Sequence, residues 1–494
     1  MRSLGSFGRN FSIVAAAQAI TLSATFVFTL AQARYLDLTR FGELSIALSA
    51  TAILTLVVDF GLSTKVARDV AQRPAAAGKT LAATLVVRFG LWCLAMPLVW
   101  AGTVILNYNS ELRSSILILG VGALFGGIAA SLAAYFQGRE EFLFPSLGSI
   151  AQRGSAALLG VGALALGHGV LVVAGVYVVA SVLQVLVMLP GMRRYPTSMA
   201  LERATIVKMM RGTATLGFFW MLGAFYYNID LLILQRLVPP ENVAWYAAAY
   251  RLFGVALAVV GAASSTVLYP VMARLAVGSR DELRFAIERS FTFFLASGVF
   301  VALIIGFEAD QVVALVFPTR AYGEAANALR LLAPGIVAIY ANGPFFITLL
   351  GMGLERRLLV MAAVLAVLNP LANFALIPLL QQNGSALLTS ATEAIVLVWV
   401  LALTPKELRG AANPRVIVRL FLAATPAAAC LWLLRDWSMF IGIPVAGLAY
   451  AMAALALGAI PANDLRAIRT LLARTRHAVG PDGLPAVAAG TAER

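Results

Sequence analysis

Residues 170–190 read Val-Leu-Val-Val-Ala-Gly-Val-Tyr-Val-Val-Ala-Ser-Val-Leu-Gln-Val-Leu-Val-Met-Leu-Pro, without a single charge. A helix needs about 20 apolar residues to cross a bilayer, and this run is long enough to do so. Gly167-His168-Gly169 stands before it and Arg193-Arg194 after it, so it is bounded by a turn on one side and by cations on the other. Outward from it lie thirteen more apolar stretches of the same kind, at 11–33, 42–63, 80–106, 115–137, 146–166, 213–235, 244–270, 290–306, 327–352, 358–380, 385–404, 416–434 and 439–460. None has the alternating polarity of barrel strands about 10 residues long. The sequence therefore predicts an all-α, polytopic membrane bundle of about 14 transmembrane helices.

Composition agrees. Of 494 residues 61% are apolar and 12% charged, with a mean hydropathy of +0.88, whereas soluble domains run near 45–50% apolar. The spans leave no connecting segment long enough for an inserted catalytic or receptor domain. The net charge of +14 is read as cytoplasmic loops, not as nucleic-acid binding. With the amino terminus inside, 26 of the 37 Lys and Arg fall in cytoplasmic segments, six outside and five within spans, which orients the chain with both termini cytoplasmic. The run ending in Ala31-Gln32-Ala33 exceeds the 7–15 apolar residues of a secretory signal and reads as a retained helix. Beyond Pro461, Leu465, Ile468, Leu471 and Leu472 alternate with Arg466, Arg469, Arg474 and Arg476, the pattern of an interfacial helix on anionic lipid. Cys93 and Cys430 sit in apolar runs; with no histidine pair and no Walker lysine, no cofactor or metal site is expected.

An internal repeat organises the helices. Residues 34–48 lie over 236–250, and Ala67-Arg68 over Ala273-Arg274. This pairs helices 1–2 with 7–8 and divides the chain into 1–211 (first lobe, helices 1–6), 212–404 (second lobe, helices 7–12), 405–460 (helices 13–14) and a basic tail, 461–494. Because six is even, the two six-helix lobes are parallel, related by an axis along the membrane normal, with a cavity between them near the midplane. Such an arrangement suits a transporter.

The stretch Tyr226-Tyr227-Asn228-Ile229-Asp230-Leu231, followed by Val243-Ala244-Trp245-Tyr246-Ala247-Ala248-Ala249-Tyr250-Arg251-Leu252, resembles the start of the second lobe in polysaccharide-type exporters. Ala33-Arg34-Tyr35-Leu36, Arg40-Phe41-Gly42 and Asp59-Phe60-Gly61-Leu62 are similar to their amino-terminal pattern. On these motifs the chain resembles the O-antigen (Wzx-type) flippase branch of the multidrug/oligosaccharidyl-lipid/polysaccharide exporter superfamily. The resemblance implies a flippase for undecaprenyl-pyrophosphate-linked oligosaccharide in the bacterial inner membrane. It also implies surface polysaccharide or lipopolysaccharide O-antigen synthesis, a polymerase and a chain-length regulator as partners, and a monomer among membrane lipids. The alternatives are a lipid II flippase, a drug or cation antiporter of the same superfamily, or a membrane glycan polymerase or ligase. An antiporter needs a carboxylate-lined cavity, and an enzyme a sizeable outer loop.

Eight ionisable residues fall within spans: Arg88, Arg153, Arg251, Arg330, Arg419, Asp59, Asp230 and Glu393. At about 2.5–3.5 kcal/mol each they are too costly to face lipid. Arg330 and Arg419 lie near helix ends and can snorkel. Arg88, Arg153 and Arg251 are deep, suited either to a substrate cavity, where the guanidinium fork matches pyrophosphate oxygens, or to buried ion pairs. Asp230 and Glu393 are candidates for ion pairing or for proton or sodium coupling, and Asp59 for pairing with a nearby base. Phe218, Trp220, Tyr226, Tyr227 and Tyr250 could meet sugar rings or simply pack. Pro334-Gly335 and Pro370 interrupt helices 10 and 11, and Gly120, Gly122, Gly126 and Gly127 crowd helix 4, which marks candidate hinges near a substrate site.

Overall fold

A computed structural model describes residues 4–195, 200–264, 268–276 and 278–459. The first half holds α1 (Leu4–Tyr35), α2 (Leu38–Asp59), α3 (Leu62–Gln72), α4 (Ala77–Ile105), α5 (Ser110–Gly138), α6 (Leu143–Ala165) and α7 (Val170–Met192). The second holds α8 (Arg203–Leu237), α9 (Pro240–Ala263), α10 (Tyr269–Leu275), α11 (Arg280–Val316), α12 (Thr319–Tyr322), α13 (Ala325–Gly351), α14 (Glu355–Leu380) and α15 (Gln382–Leu403). α16 (Lys406–Arg409), α17 (Pro414–Leu433) and α18 (Met439–Ala456) follow. No strand occurs among the described residues. In lipid the backbone must satisfy its own polar groups, and uninterrupted helices do so.

Among the described residues twelve helical segments are long and apolar enough to cross a membrane. Of the fourteen expected spans, α6 and α9 are the two outside that set, and each is interrupted by one of the deep arginines, Arg153 and Arg251. The helix starts follow capping chemistry: Asp37 accepts from the Arg40 N–H at 2.8 Å and Asn109 from the Leu112 N–H at 2.8 Å, supplying partners for amides that the first turn leaves open. α2 and α3 are separated because Phe60 (φ 41°) and Gly61 (φ 73°) both adopt the left-handed conformation. α3 is amphipathic, burying Leu62, Val66 and Val70.

The helices pack in two groups. α1 packs on α6, α6 and α5 on α7, and α2 and α4 on α5; in the second half α11 packs on α13, α13 on α9 and α15, and α14 on α8 and α15. α17 and α18 pair and lean on α11. α8 joins the groups, packing on α2, α3 and α4 as well as on α14. At its inner half the contact is close: a Cβ on Gly217 would lie 2.7 Å from the Phe60 carbonyl oxygen. The basic segment 461–494 lies outside the described residues.

Candidate functional site

Arg88 is 2% exposed and points into the interior of the first group. Its guanidinium pairs with the Asp59 carboxylate and donates to the Ser63 hydroxyl at 2.7 Å, while that hydroxyl donates to Asp59 at 2.5 Å. Gly127 makes room for it, since a Cβ there would lie 3.3 Å from Arg88 Nη1. Of the two readings its depth allowed, the structure adopts the buried ion pair; a cavity-facing Arg88 is not what forms. The physical reason is the left-handed turn after Asp59, which brings Ser63 and the carboxylate back over α4. In this arrangement the Arg88 charge is met by the Asp59 carboxylate.

Arg251 is different. From α9 it donates to Gln32 Oε1 on α1 at 2.7 Å and to the Ser45 hydroxyl on α2 at 3.3 Å, and its guanidinium carbon lies 4.4 Å from the centre of the Phe41 ring. Gln32 in turn donates to the Tyr177 hydroxyl at 3.1 Å. All these partners are neutral, so the positive charge is held in place without being cancelled. Phe41 also makes edge contacts with Phe317 at 5.7 Å and Tyr322 at 5.4 Å. Among the described residues, these are the hydrogen bonds and ring contacts that tie α1 and α2 to α9–α12, and all lie at the end assigned to the outside. At the other end the side-chain contacts between the groups run through α8, where Phe218 packs on Phe60 at 5.2 Å.

Arg153 on α6 is exposed and has no ion-pair partner among the described residues. The three arginines therefore occupy three separate environments. They do not converge.

Among the described residues the second group contains three buried carboxylates with no cation beside them, Asp230, Glu393 and, on α11, Glu308. Asp230, 4% exposed, accepts from the Tyr246 hydroxyl at 3.0 Å, the Thr389 hydroxyl at 3.2 Å and Asn373 Nδ2 at 3.0 Å. Ser385 donates to Asn373 Oδ1 at 2.8 Å, and Asn373 also donates to Asn369 Oδ1 at 2.9 Å. Glu393, 1% exposed, accepts from the Tyr226 hydroxyl at 3.1 Å. Neutral donors ease a buried carboxylate without cancelling its charge, which leaves each free to take up a proton or a small cation. Among the described residues no three His, Cys, Asp or Glu side chains gather as a metal site.

The hinge candidates sit against the same helices. Pro334 lies inside α13, and around it the Ser390 hydroxyl of α15 bridges one helical turn. The Gly335 amide donates to the Ser390 hydroxyl at 3.1 Å, and that hydroxyl donates to the Leu331 carbonyl at 2.5 Å. An inserted hydroxyl is a recognised cause of helix bending. Pro370 lies within α14, one turn from Asn373. An apolar groove of about 590 Å³ runs between α11, α13, α15 and α17, lined by residues including Leu295, Pro334, Leu397 and Phe421, with Arg330 also on its wall.

Sequence reasoning missed the neutral residues: Gln32, Ser45, Ser63, Asn373, Thr389 and Ser390. Hydroxyls and amides are ordinary in apolar helices, and only their spatial pairing distinguishes these.

Fold and site together define a multi-pass helical membrane protein. The chain belongs to the polysaccharide biosynthesis protein family, whose model matches residues 7–276. No sequence match is found among curated proteins. The fold is similar to that of the lipid II flippase MurJ in an inward-closed conformation, at 12% identity and a TM-score of 0.64, covering 91% of this chain and 99% of that one. It is also similar to an inward-facing multidrug resistance MATE family transporter (17% identity, TM-score 0.61, covering 77% of this chain and 95% of that one). A third likeness is to a MOP superfamily transporter from Pyrococcus furiosus (15%, 0.61, 82% and 96%).

Proposed function

We propose that the protein is a flippase moving undecaprenyl-pyrophosphate-linked oligosaccharide, an O-antigen or other polysaccharide repeat unit, across the bacterial inner membrane by alternating access between lobes 1–211 and 212–404. The observation that carries this reading is Arg251: a guanidinium at the junction of the two helix groups whose charge is held by neutral partners only. Opening the outer end separates α9 from α1 and α2, releases that guanidinium, and offers its fork of donors to a pyrophosphate. Arg153 supplies a second uncompensated cation. The groove along α11, α13, α15 and α17 is of a size and polarity to hold an isoprenoid chain. An outward-moving negative charge is favoured by about 2.3 kcal/mol per 100 mV in an inside-negative cell. Family membership and a fold shared along nearly the whole length of a lipid II flippase support the same reading, and lipid II is the nearest alternative cargo.

In this scheme Asp230 and Glu393 couple the cycle to protons or sodium, Asp59 serves as the partner of Arg88, and Pro334, Gly335 and Pro370 bend as the lobes reorient. The protein acts as a monomer that hands its cargo to a polymerase and a chain-length regulator. The test is complementation of surface glycan. Arg251→Ala and Arg153→Ala should insert at wild-type abundance and abolish or sharply reduce glycan; full glycan from both variants overturns their role.

A second reading, cation antiport, is favoured by Asp230 and Glu393, buried carboxylates that neutral donors hold and no cation pairs among the described residues. Efflux of organic cations that is lost in Asp230→Asn, with glycan synthesis untouched, would select it.

A further inference from the structure

The end of the molecule opposite Arg251 carries a separate basic pocket. It has a volume of about 560 Å³ and lies between α3, the start of α4 and the start of α8, lined by Lys65, Arg68, Arg73, Lys79, Asp69 and Glu202, with Gln72, Thr80 and Thr205 adding uncharged polar groups. Its two acids are already engaged. Lys65 meets Asp69 at 2.6 Å and Lys79 meets Glu202 at 2.5 Å. Arg68 and Arg73 have no carboxylate partner among the described residues, so the lining keeps an excess of two guanidiniums. Next to it, sharing Gly212, a second recess is lined by Arg203 and Arg211. The Lys65 stem lies across α8 at Gly212, where a Cβ would stand 2.6 Å from its Cε.

The position selects the ligand. Membrane-crossing α2 ends at Asp59, α3 begins at Leu62 with its apolar face buried, and α4 begins at Ala77. Lys65, Arg68, Arg73 and Lys79 thus stand within a few turns of two span ends, at headgroup depth on the side where positive loops belong. Basic pockets between helices at that level suit phosphate headgroups, and guanidiniums grip phosphate oxygens in pairs. We propose that this pocket binds the phosphate of an anionic phospholipid from the cytoplasmic leaflet, and that the bound headgroup ties α8 to α3 and α4. A phosphate held there by Arg68 and Arg73 from α3 and its following turn faces the start of α8, the helix that links the two groups.

The experiment uses the full chain in neutral detergent and measures retention of phosphatidylglycerol, phosphatidylcholine, inorganic phosphate and pyrophosphate by native mass spectrometry. The wild type should retain phosphatidylglycerol over phosphatidylcholine, with weakening as salt rises. Arg68→Gln/Arg73→Gln, both exposed positions that leave the two ion pairs intact, should bind it about thirtyfold more weakly, while Arg40→Gln, at the outer end, should match the wild type. Equal retention of phosphatidylglycerol by the wild type and the double variant overturns the site. Free phosphate or pyrophosphate binding as tightly as the lipid, or no preference between the two lipids, overturns the lipid as its occupant.

Discussion

At the scale of single residues, the decisive contrast is between Arg88 and Arg251. Both are deep arginines in apolar helices, and the sequence marks both as anomalous on the same cost argument. One is matched by a carboxylate and the other by an amide and a hydroxyl. Breaking a buried pair by removing one partner leaves an uncompensated charge, so Asp59→Asn should destabilise the detergent-solubilised protein by about 3 kcal/mol, read by thermal or chemical unfolding. Asp59→Leu/Arg88→Met should recover most of that loss. A neutral Asp59→Asn would mean that Arg88 is held otherwise. At the surface, hydrogen bonding and charge from Lys79 hold the Glu202 carboxyl below its usual range. A carboxyl lowered in the folded state contributes stability above its unfolded value and loses it as pH falls through the folded one. The melting temperatures of wild type and Lys79→Gln should therefore converge in acid and differ most at neutral pH. What the sequence could not reveal at this scale is pairing. Asp59 and Arg88 were legible as anomalies, but Ser63, which closes their triangle, is an unremarkable serine until the left-handed turn at Phe60 and Gly61 places it.

At the scale of elements, hydrophobic runs located the long helices but understated them. The apolar stretch 290–306 lies inside α11, which runs Arg280–Val316, and 213–235 lies inside α8, Arg203–Leu237. The extensions at the starts of α8 and α11 are charged turns that remain helical, where hydropathy gives no signal, while beyond 306 α11 kinks at Glu308 (φ −103°, ψ 15°) before continuing to Val316. The segments 34–48 and 236–250 each cover the end of one long helix and the start of the next, capped by Asp37 in the first and begun by Pro240 without a side-chain cap in the second. Proline and glycine marked α13 as a candidate for bending, and it runs as one helix, Ala325–Gly351, in which the Gly335 amide and the Leu331 carbonyl both meet the Ser390 hydroxyl of α15. Ser390→Ala should delete the two hydrogen bonds that join α15 to α13 at Gly335 and Leu331, at a cost of about 1–3 kcal/mol in unfolding free energy. Gly217→Ala should cost a similar amount, because the Phe60 carbonyl is backbone and cannot swing aside. Wild-type stability in either variant would show that the contact is not held.

At the scale of the whole molecule, the outer end is closed by Arg251, Phe41 and their partners, while the inner end is joined chiefly through α8. In the proposed alternating-access cycle the outer contacts, including α2 against α9, part while α8 keeps the two helix groups connected. Removing the outer contacts without touching α8 should shift the population toward an outward-open form. Gln32→Ala, which deletes the strongest neutral acceptor of Arg251, should increase accessibility of a cysteine placed at Ser45 to a membrane-impermeant thiol reagent from outside; unchanged labelling would mean that the seal lies elsewhere.

The most direct measurement is translocation of radiolabelled undecaprenyl-pyrophosphate oligosaccharide in proteoliposomes holding the purified chain. The account predicts that wild-type protein carries the lipid to the opposite leaflet chemically unchanged and that Arg251→Ala, equally folded, does not. Movement no faster than in protein-free liposomes, a chemically altered product, or full activity in Arg251→Ala would contradict it.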